Sequence, residues 1–456
     1  MLQQTIAAIS TPPGQGGIAV VRLSGSQSRE ITEKIFIPKH SDKYVKNAKG
    51  YTALYGRFIQ RGEVIDDGIA LFFCAPHSYT GEDVVELSCH GGEQVSRQLL
   101  QACLQAGATP AGPGEFTRRA VLNGRMSLPQ AEAVMDMISA TSRQGVAAAQ
   151  AALSGALFSA IQEQKQKLIQ LAGHLAAYTD YPEEDVELLT NRAFAETVEE
   201  VRVELQKLVD GYGRGILVRR GVRTAIVGSP NVGKSTLFNL LSGFERAIVT
   251  PVAGTTRDVV RESIQLGSIT LHLADTAGLH QTQDEVEAEG IRRSKSEMAE
   301  AQLVIVVFDG SLAWGEEERD LARQAKGRPS LGIINKSDLG VVVSDQELNS
   351  YFSQVITVSA KKPEAKEQIE QAVLRILGLH EFDTAAALVA NERQLAALTA
   401  ACAALQQAEE AMQQGLALDA AGVCVDDALI SFAELTGENI NEIILENIFS
   451  RFCVGK

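Results

Sequence analysis

The segment Gly228-Ser-Pro-Asn-Val-Gly-Lys-Ser235 follows the apolar run Thr224-Ala-Ile-Val227 and precedes Thr236-Leu-Phe-Asn-Leu-Leu241, which has a helical pattern. Strand, glycine-rich loop and helix in that order is what a phosphate cradle requires. Backbone N–H groups converge on the phosphates, Lys234 reaches the β and γ oxygens, and the Ser235 hydroxyl is placed for Mg²⁺. Asn231, Val232, Gly233, Lys234, Ser235 and Thr236 are therefore candidate nucleotide contacts, and this part of the chain is expected to bind a nucleoside triphosphate.

Three downstream segments specify the nucleotide. Leu271-His-Leu-Ala274 runs into Asp275-Thr276-Ala277-Gly278, where an acidic residue at a strand end holds Mg²⁺ through water and a glycine N–H meets the γ-phosphate. Leu331-Gly-Ile-Ile334 ends in Asn335-Lys336-Ser337-Asp338, and Val355-Ile-Thr-Val358 ends in Ser359-Ala360-Lys361. A carboxylate at Asp338 accepts two hydrogen bonds. Guanine offers a ring N–H beside an exocyclic amine, whereas adenine has a bare acceptor there, so the pattern selects GTP over ATP.

The residue after Gly278 is Leu279, which cannot polarise the attacking water. Asp284, Glu285, Glu287 and Glu289 in the acidic stretch that follows are candidates for that task on composition, although a solvated helix face is the simpler reading of each alone. Asn231, with Thr250-Pro251-Val252-Ala253-Gly254-Thr255-Thr256 downstream, offers amide and carbonyl oxygens suited to a monovalent cation. Such a cation would supply transition-state charge; the alternative is that Asn231 only shapes the loop.

With 456 residues, 45% hydrophobic and 22% charged, the chain is expected to hold two to four globular domains. No apolar run approaches ~20 residues and the N-terminus lacks the pattern of a signal peptide, so a cytoplasmic protein is expected. The six cysteines, Cys74, Cys89, Cys103, Cys402, Cys424 and Cys453, form no C-x-x-C pair and indicate neither zinc nor a disulfide framework. A net charge of −15 argues against binding nucleic acid by general phosphate neutralisation. Any RNA contact would fall to local patches such as Arg118-Arg119, Arg219-Arg220 with Arg223, or Arg292-Arg293 with Lys295, each of which also reads as solvated surface.

Residues 1–121 read as α/β, with strands expected at Thr5–Ser10, Gly17–Leu23, Gly68–Cys74 and Asp83–Ser88. Beyond about 128, Leu153, Leu157, Ile161, Leu168, Leu171 and Leu175 recur at helical spacing, and Val198, Val201, Leu205 and Leu208 continue the pattern. The same texture returns after the nucleotide domain, at Leu395, Leu398, Cys402, Leu405 and Ala408. A discontinuous helical domain, 122–216 with 380–456, interrupted by a nucleotide domain at 217–379, accommodates this; two separate bundles are the alternative. The terminal Phe449-Ser-Arg-Phe-Cys-Val-Gly-Lys456 leaves Cys453 three residues from the end, where an incidental thiol on a frayed tail is the simplest physical reading.

The motifs together resemble the MnmE (TrmE) family of tRNA wobble-uridine modification GTPases along essentially the whole chain. Thr11-Pro-Pro-Gly-Gln-Gly-Gly17, Ser78-Tyr-Thr-Gly-Glu-Asp83, Pro113-Gly-Glu-Phe-Thr-Arg-Arg119 and Phe452-Cys-Val-Gly-Lys456 join the nucleotide motifs in the family's order. The resemblance implies an N-terminal α/β folate-binding and dimerising domain, a discontinuous helical domain and an inserted Ras-like P-loop GTPase domain. It also implies a flavoprotein partner, MnmG, an FAD protein, and tRNA as substrate. Carried over by position, Asn231, Thr250, Val252 and Thr255 would hold potassium, Ser235 and Thr256 would hold Mg²⁺, and Glu287 would position the hydrolytic water. Arg22, Glu86, Arg125 and Lys456 would contact a tetrahydrofolate derivative, in its 5-formyl or 5,10-methylene form, with Cys453 beside the one-carbon unit. Arg125 stands where the family more usually has lysine. Two other readings are an RNA-binding ribosome-assembly GTPase, against which the Ala-rich, acidic-leaning C-terminal segment counts, and a regulatory GTP sensor, which leaves the N-terminal motifs unexplained.

Overall fold

A computed structural model describes residues 4–40, 45, 48–180, 191–243, 263–267, 269–273, 298–342, 345–380, 383, 386–416, 418–438, 445, 448–450 and 452–455. The chain divides into two compact units, Met1–Met135 with Ile430–Lys456, and Asp136–Leu429.

The first unit is built on a seven-stranded sheet in the order β3-β4-β5-β6-β2-β1-β7. Its strands are β1 (Ile6–Ile9), β2 (Ile18–Ser24), β3 (Phe36–Pro38), β4 (Thr52–Gln60), β5 (Glu63–Phe73), β6 (Val84–His90) and β7 (Thr109–Pro110). The four expected strands correspond to β1, β2, β5 and β6. Alternating residues Val21, Leu23, Phe58, Phe72 and Leu87 meet Leu99 and Cys103 of helix Glu93–Gln105 in one core. The long strand β4 was not foreseen, because Gly56 interrupts its apolar alternation.

Gly56 and Gly68 are directly paired across β4 and β5. A Cβ at Gly56 would lie 2.2 Å from the Ile37 carbonyl oxygen, and one at Gly68 would lie 2.1 Å from that of Ser88 and 2.4 Å from the Phe58 ring. The glycines are thus requirements of close backbone approach rather than strand breakers.

Arg119, expected on a basic surface patch, is instead only 3% exposed. Its guanidinium bonds Glu82 at 3.0 Å and Glu115 at 2.8 Å. Ser24 Oγ donates to Glu82 at 2.6 Å and the Gly112 amide to Glu115 at 2.8 Å, so both carboxylates are further satisfied. Arg219 is likewise drawn inward, to Asp136 and the Ala390 carbonyl. Arg220 and Arg223 remain exposed, and Arg292, Arg293 and Lys295 lie outside the described residues.

The second unit contains a six-stranded sheet in the order β13-β12-β11-β8-β10-β9. Its strands are β8 (Val222–Val227), β9 (Ser263–Leu266), β10 (Ile269–Leu273), β11 (Leu303–Asp309), β12 (Ser330–Asn335) and β13 (Gln354–Thr357), all parallel except β9. Buried on both faces, β11 sends Ile305 and Val307 into one core and Val304, Val306 and Phe308 into the other. This is a Ras-like P-loop architecture inserted into a discontinuous helical scaffold. Helix Asn191–Arg220 precedes the insertion and packs along helix Glu392–Gln413, which follows it; Arg202 bonds Glu409 across them at 2.7 Å.

Leu157, Ile161, Leu168, Leu171 and Leu175 form a buried stripe on helix Ala156–Asp180. Leu153 belongs to a separate helix, Arg143–Leu153, because Gly155 turns the chain at φ +85°. Among the described residues no single helix is long and apolar enough to cross a membrane.

Gly68→Ala is expected to destabilise the first unit by about 2 kcal/mol or more, since the added methyl meets backbone oxygen that cannot move without disturbing β6. The denaturant midpoint of the variant checks this.

Candidate functional site

The phosphate loop leaves β8 at Gly228 and enters helix Lys234–Ser242 through Gly233 at φ +98°. A Cβ at Gly233 would lie 2.4 Å from the Asn335 amide nitrogen, so the cradle excludes any side chain there. Asn231 occupies the left-handed region at φ +62° and is exposed, as are Ser235 and Thr236, while Val232 is buried in the core. Lys234 Nζ donates to the carbonyls of Gly228 at 2.6 Å and Ser229 at 2.8 Å. Burial pushes its pKa down, opposed by the charge of Glu317.

One contact of this loop was not legible beforehand. Ser229 Oγ donates to Glu318 Oε1 at 2.6 Å, and Glu318 Oε2 accepts from the Gly315 amide at 2.9 Å at the start of helix Glu316–Ala325. Burial works to raise the Glu318 carboxyl, but the Ser229 hydroxyl and backbone amides outweigh it and hold it below its ordinary value. The Gly-x-x-Glu helix start is visible in the sequence; its long-range partner is not.

Asn335 is 2% exposed. Its Nδ2 donates to the Val232 carbonyl and its Oδ1 accepts from the Ala360 amide, each at 2.9 Å. The Ser337 amide donates to the Val358 carbonyl at 3.2 Å. Asp338 is exposed and accepts from Ser359 Oγ at 2.7 Å, with Lys361 Nζ at 3.6 Å. The Ser359 hydrogen bond and the Lys361 charge keep its carboxyl below the usual range, so it is an acceptor at neutral pH. Lys336 stands at φ +62° with Nζ 2.6 Å from Asp309 Oδ2. The structure therefore brings Val232, Asn335, Lys336, Ser337, Asp338, Val358, Ser359 and Ala360 into one assembly joined to the phosphate loop. Thr250, Pro251, Val252, Ala253, Gly254, Thr255, Thr256, Asp275, Thr276, Ala277, Gly278, Leu279, Asp284, Glu285, Glu287, Glu289 and Lys456 lie outside the described residues.

A second polar site occupies the first unit. Arg22 and Glu86 are cross-strand partners on β2 and β6, with Arg22 Nη2 2.8 Å from Glu86 Oε1. The guanidinium lies 5.4 Å from the Tyr79 ring centroid and 5.6 Å from that of Phe116. Burial raises the Tyr79 hydroxyl, whose neighbour is Thr117 Oγ1 at 2.8 Å. Arg125 is exposed and donates Nε to the Ser78 carbonyl at 3.2 Å, next to Tyr79 in sequence.

The C-terminal tail is docked here rather than frayed. The Gly114 amide donates to the Cys453 carbonyl at 3.3 Å, and Val454 bridges to Pro113. The Gly455 carbonyl accepts from Ser10 Oγ at 3.0 Å and Arg22 Nη1 at 3.5 Å, while Cys453 stays exposed. Phe452 and Phe449 anchor the tail in a cluster with Leu128, Ala131 and Leu445. Tyr79 and Phe116 lie within quoted motifs but were not assigned to the site, and Ser10 lies outside every motif.

A family model described as the GTP-binding protein TrmE N-terminus matches residues 5–125, and one for the MnmE helical domain matches residues 128–453. The chain is 41% identical over 460 residues to the tRNA modification GTPase MnmE of Symbiobacterium thermophilum and 36% identical over 461 residues to that of Natranaerobius thermophilus, covering all of both chains in each pair. The chain belongs to the MnmE family of tRNA modification GTPases. It is a GTP hydrolase, and the GTP-over-ATP reading of Asp338 accords with membership. The family's N-terminal model also spans the part of the chain that carries Arg22, Glu86 and Tyr79. Both full-length relatives named above are tRNA modification GTPases rather than assembly factors or sensors.

Asn335→Ala would leave the Val232 carbonyl and the Ala360 amide buried without partners, at about 1–3 kcal/mol each. The expected result is loss of nucleotide binding together with lower thermal stability, read by fluorescent-GDP titration and by the melting temperature with and without GDP.

Proposed function

We propose that this chain is a potassium-dependent GTPase that works with the FAD protein MnmG. Together they add a carboxymethylaminomethyl or aminomethyl group to carbon 5 of the wobble uridine, position 34, of certain tRNAs in the cytoplasm. The one-carbon donor is a tetrahydrofolate derivative, and GTP hydrolysis drives a conformational switch. The observation that carries the proposal is the pairing, on one chain of this family, of a guanine-nucleotide site with a separate polar site on which the Cys453 tail is docked.

The residues fit the groups assigned to them. The backbone at Gly233, where Asn335 leaves no room for a side chain, suits the approach of phosphate oxygens, and the exposed Ser235 hydroxyl at the helix start suits a Mg²⁺ ligand, with Thr256 as its partner. The exposed Asn231 amide suits potassium alongside Thr250, Val252 and Thr255. When bound, Mg²⁺ and potassium neutralise charge on the phosphates. Lys234 exchanges its loop carbonyls for phosphate oxygens, and Glu287 positions water in place of Leu279.

In the first unit, Glu86 accepts from the pterin amide and amine, while Arg22, 5.4 Å and 5.6 Å from the Tyr79 and Phe116 ring centroids, meets polar or anionic groups of the folate. Arg125 and Lys456 complete the polar contacts, and Cys453 presents its thiol to the one-carbon unit. A homodimer through the first unit accords with Ile37, Tyr55, Val64 and Ile69, large apolar residues left exposed on neighbouring strands β3, β4 and β5. With MnmG the assembly is a heterotetramer or larger.

Deletion of the gene, complementation with wild type or Cys453→Ser, and mass spectrometry of tRNA nucleosides test this function. Loss of the carbon-5 modification, restored only by wild type, is expected; unchanged tRNA after deletion would refute it. Cys453→Ser should hydrolyse GTP at the wild-type rate.

Glu287→Ala should lower kcat for GTP by about 100-fold or more while sparing GDP affinity, as measured by phosphate release. Hydrolysis should be much faster in potassium than in sodium at equal ionic strength, and equal rates would remove the cation from the mechanism.

A further inference from the structure

Asp309, the last residue of β11, belongs to none of the motifs that identify the nucleotide site. It is nonetheless the ion-pair partner of Lys336, between Asn335 and Asp338. We infer that Asp309 is a positioning residue for guanine-nucleotide recognition, acting by locking the Lys336 side chain along the base end of the site.

Four observations converge on this role. First, the pair is close and largely sheltered, with Nζ to Oδ2 at 2.6 Å and side-chain exposures of 29% for Lys336 and 10% for Asp309. Second, the other carboxylate oxygen is occupied as well. Oδ1 accepts from the Ser311 amide at 3.0 Å and from Ser311 Oγ at 2.6 Å, so the carboxylate has one orientation. Hydrogen bonds from Lys336 and Ser311 overcome the effect of burial and hold its carboxyl below the usual range.

Third, strand register sets the pair. Asp309 lies opposite Asn335 in the parallel β11–β12 ladder, and the Gly310 amide donates to the Asn335 carbonyl at 2.8 Å. The next residue, Lys336, therefore turns back toward Asp309 rather than into solvent. The Val342 amide then donates to the Gly310 carbonyl at 2.8 Å, bracing the segment from its far side. Fourth, Lys336 holds a left-handed backbone conformation at φ +62°, unfavourable for a residue with a Cβ, and its ammonium is tethered in that conformation.

A free lysine has several rotatable bonds whose freedom is lost when a ligand packs on its stem. A lysine fixed beforehand loses little, so the tether raises affinity by pre-organisation. The Asp309 carboxylate touches neither the phosphate loop nor Asp338, so it is expected to act on nucleotide affinity and leave the chemical step alone. GDP and GTP share the base end and should be affected equally.

The test is a double-mutant cycle on the full-length protein, with Asp309→Asn, Lys336→Met and the double variant titrated with fluorescent GDP. Each single variant should weaken GDP by about tenfold, and the double variant by no more than either single, the mark of one shared interaction. Asp309→Asn should raise KM for GTP with kcat at saturation unchanged, a split that a general folding defect would not produce. Additive losses, unchanged GDP affinity in Asp309→Asn, or a lowered kcat at constant KM would each overturn the inference. Ser311→Ala, which removes the hydroxyl bond to Oδ1 but keeps the amide bond and every charge, answers the question if Asp309→Asn does not fold. It should weaken GDP about threefold by loosening the carboxylate, and wild-type affinity would again overturn the inference. Neither readout involves tRNA or folate, so failure here would leave the modification proposal untouched.

Discussion

One buried carboxamide organises the nucleotide site. Asn335 spends both ends of its side chain inside the protein, its nitrogen on the Val232 carbonyl of the phosphate loop and its oxygen on the Ala360 amide after β13. These two bonds set the spacing between the phosphate loop and the segment that carries Asp338, and leave Asn335 one further N–H and one further lone pair. Gly233 shows how tight that spacing is, because a single methyl there would displace the Asn335 nitrogen. The carboxylate is set in turn by Ser359, so three segments distant in sequence are held by three short hydrogen bonds.

The first unit is arranged by a comparable economy around arginine. Buried Arg119 joins Glu82 of the loop before β6 to Glu115 at the start of helix Glu115–Leu122. That loop carries Tyr79 and that helix carries Phe116, the two rings near Arg22. Breaking the Arg119 network would leave charges uncompensated in the interior, a large penalty against the roughly 5–15 kcal/mol net stability of folded proteins in general. The Arg22 site is therefore framed by a buried ion-pair network, and Arg22 Nη1 also donates to the Gly455 carbonyl of the tail.

What was legible in the sequence follows from the range of the interactions involved. Gly228 to Ser235 and Asn335 to Asp338 are local spellings of local geometry, so the nucleotide fold and the order of its parts could be read directly. The stripe on helix Ala156–Asp180 is likewise written in its periodicity. Gly56 sits within β4 because the Ile37 carbonyl beside it leaves no room for a side chain, a contact that spacing does not encode. Arg119 misled because adjacent arginines carry no sign of the Glu82 and Glu115 that bury one of them. Ser229 with Glu318, Asp309 with Lys336, and Ser10 with Gly455 are contacts between residues far apart in the chain, which no spacing rule encodes. Cys453 was judged by its nearness to the chain end, whereas Phe449 and Phe452 bury the segment that precedes it and Gly455 is bonded beyond it.

The position of β10 connects the nucleotide site to the helices that surround it in sequence. Helix Asn191–Arg220 reaches β8 across the single residue Gly221, whose φ of +72° and proximity to His272 and the Thr270 carbonyl leave no room for a side chain. His272 Nε2 pairs with the Arg220 carbonyl at 2.9 Å, and Thr270 Oγ1 lies 3.1 Å from Thr141 Oγ1. Thus β10 is bonded to the helical scaffold at two of its five residues, and it ends at Leu273, two residues before Asp275. The strand that leads toward the Asp275 segment is therefore already held by the scaffold over its described residues, which end at Leu273.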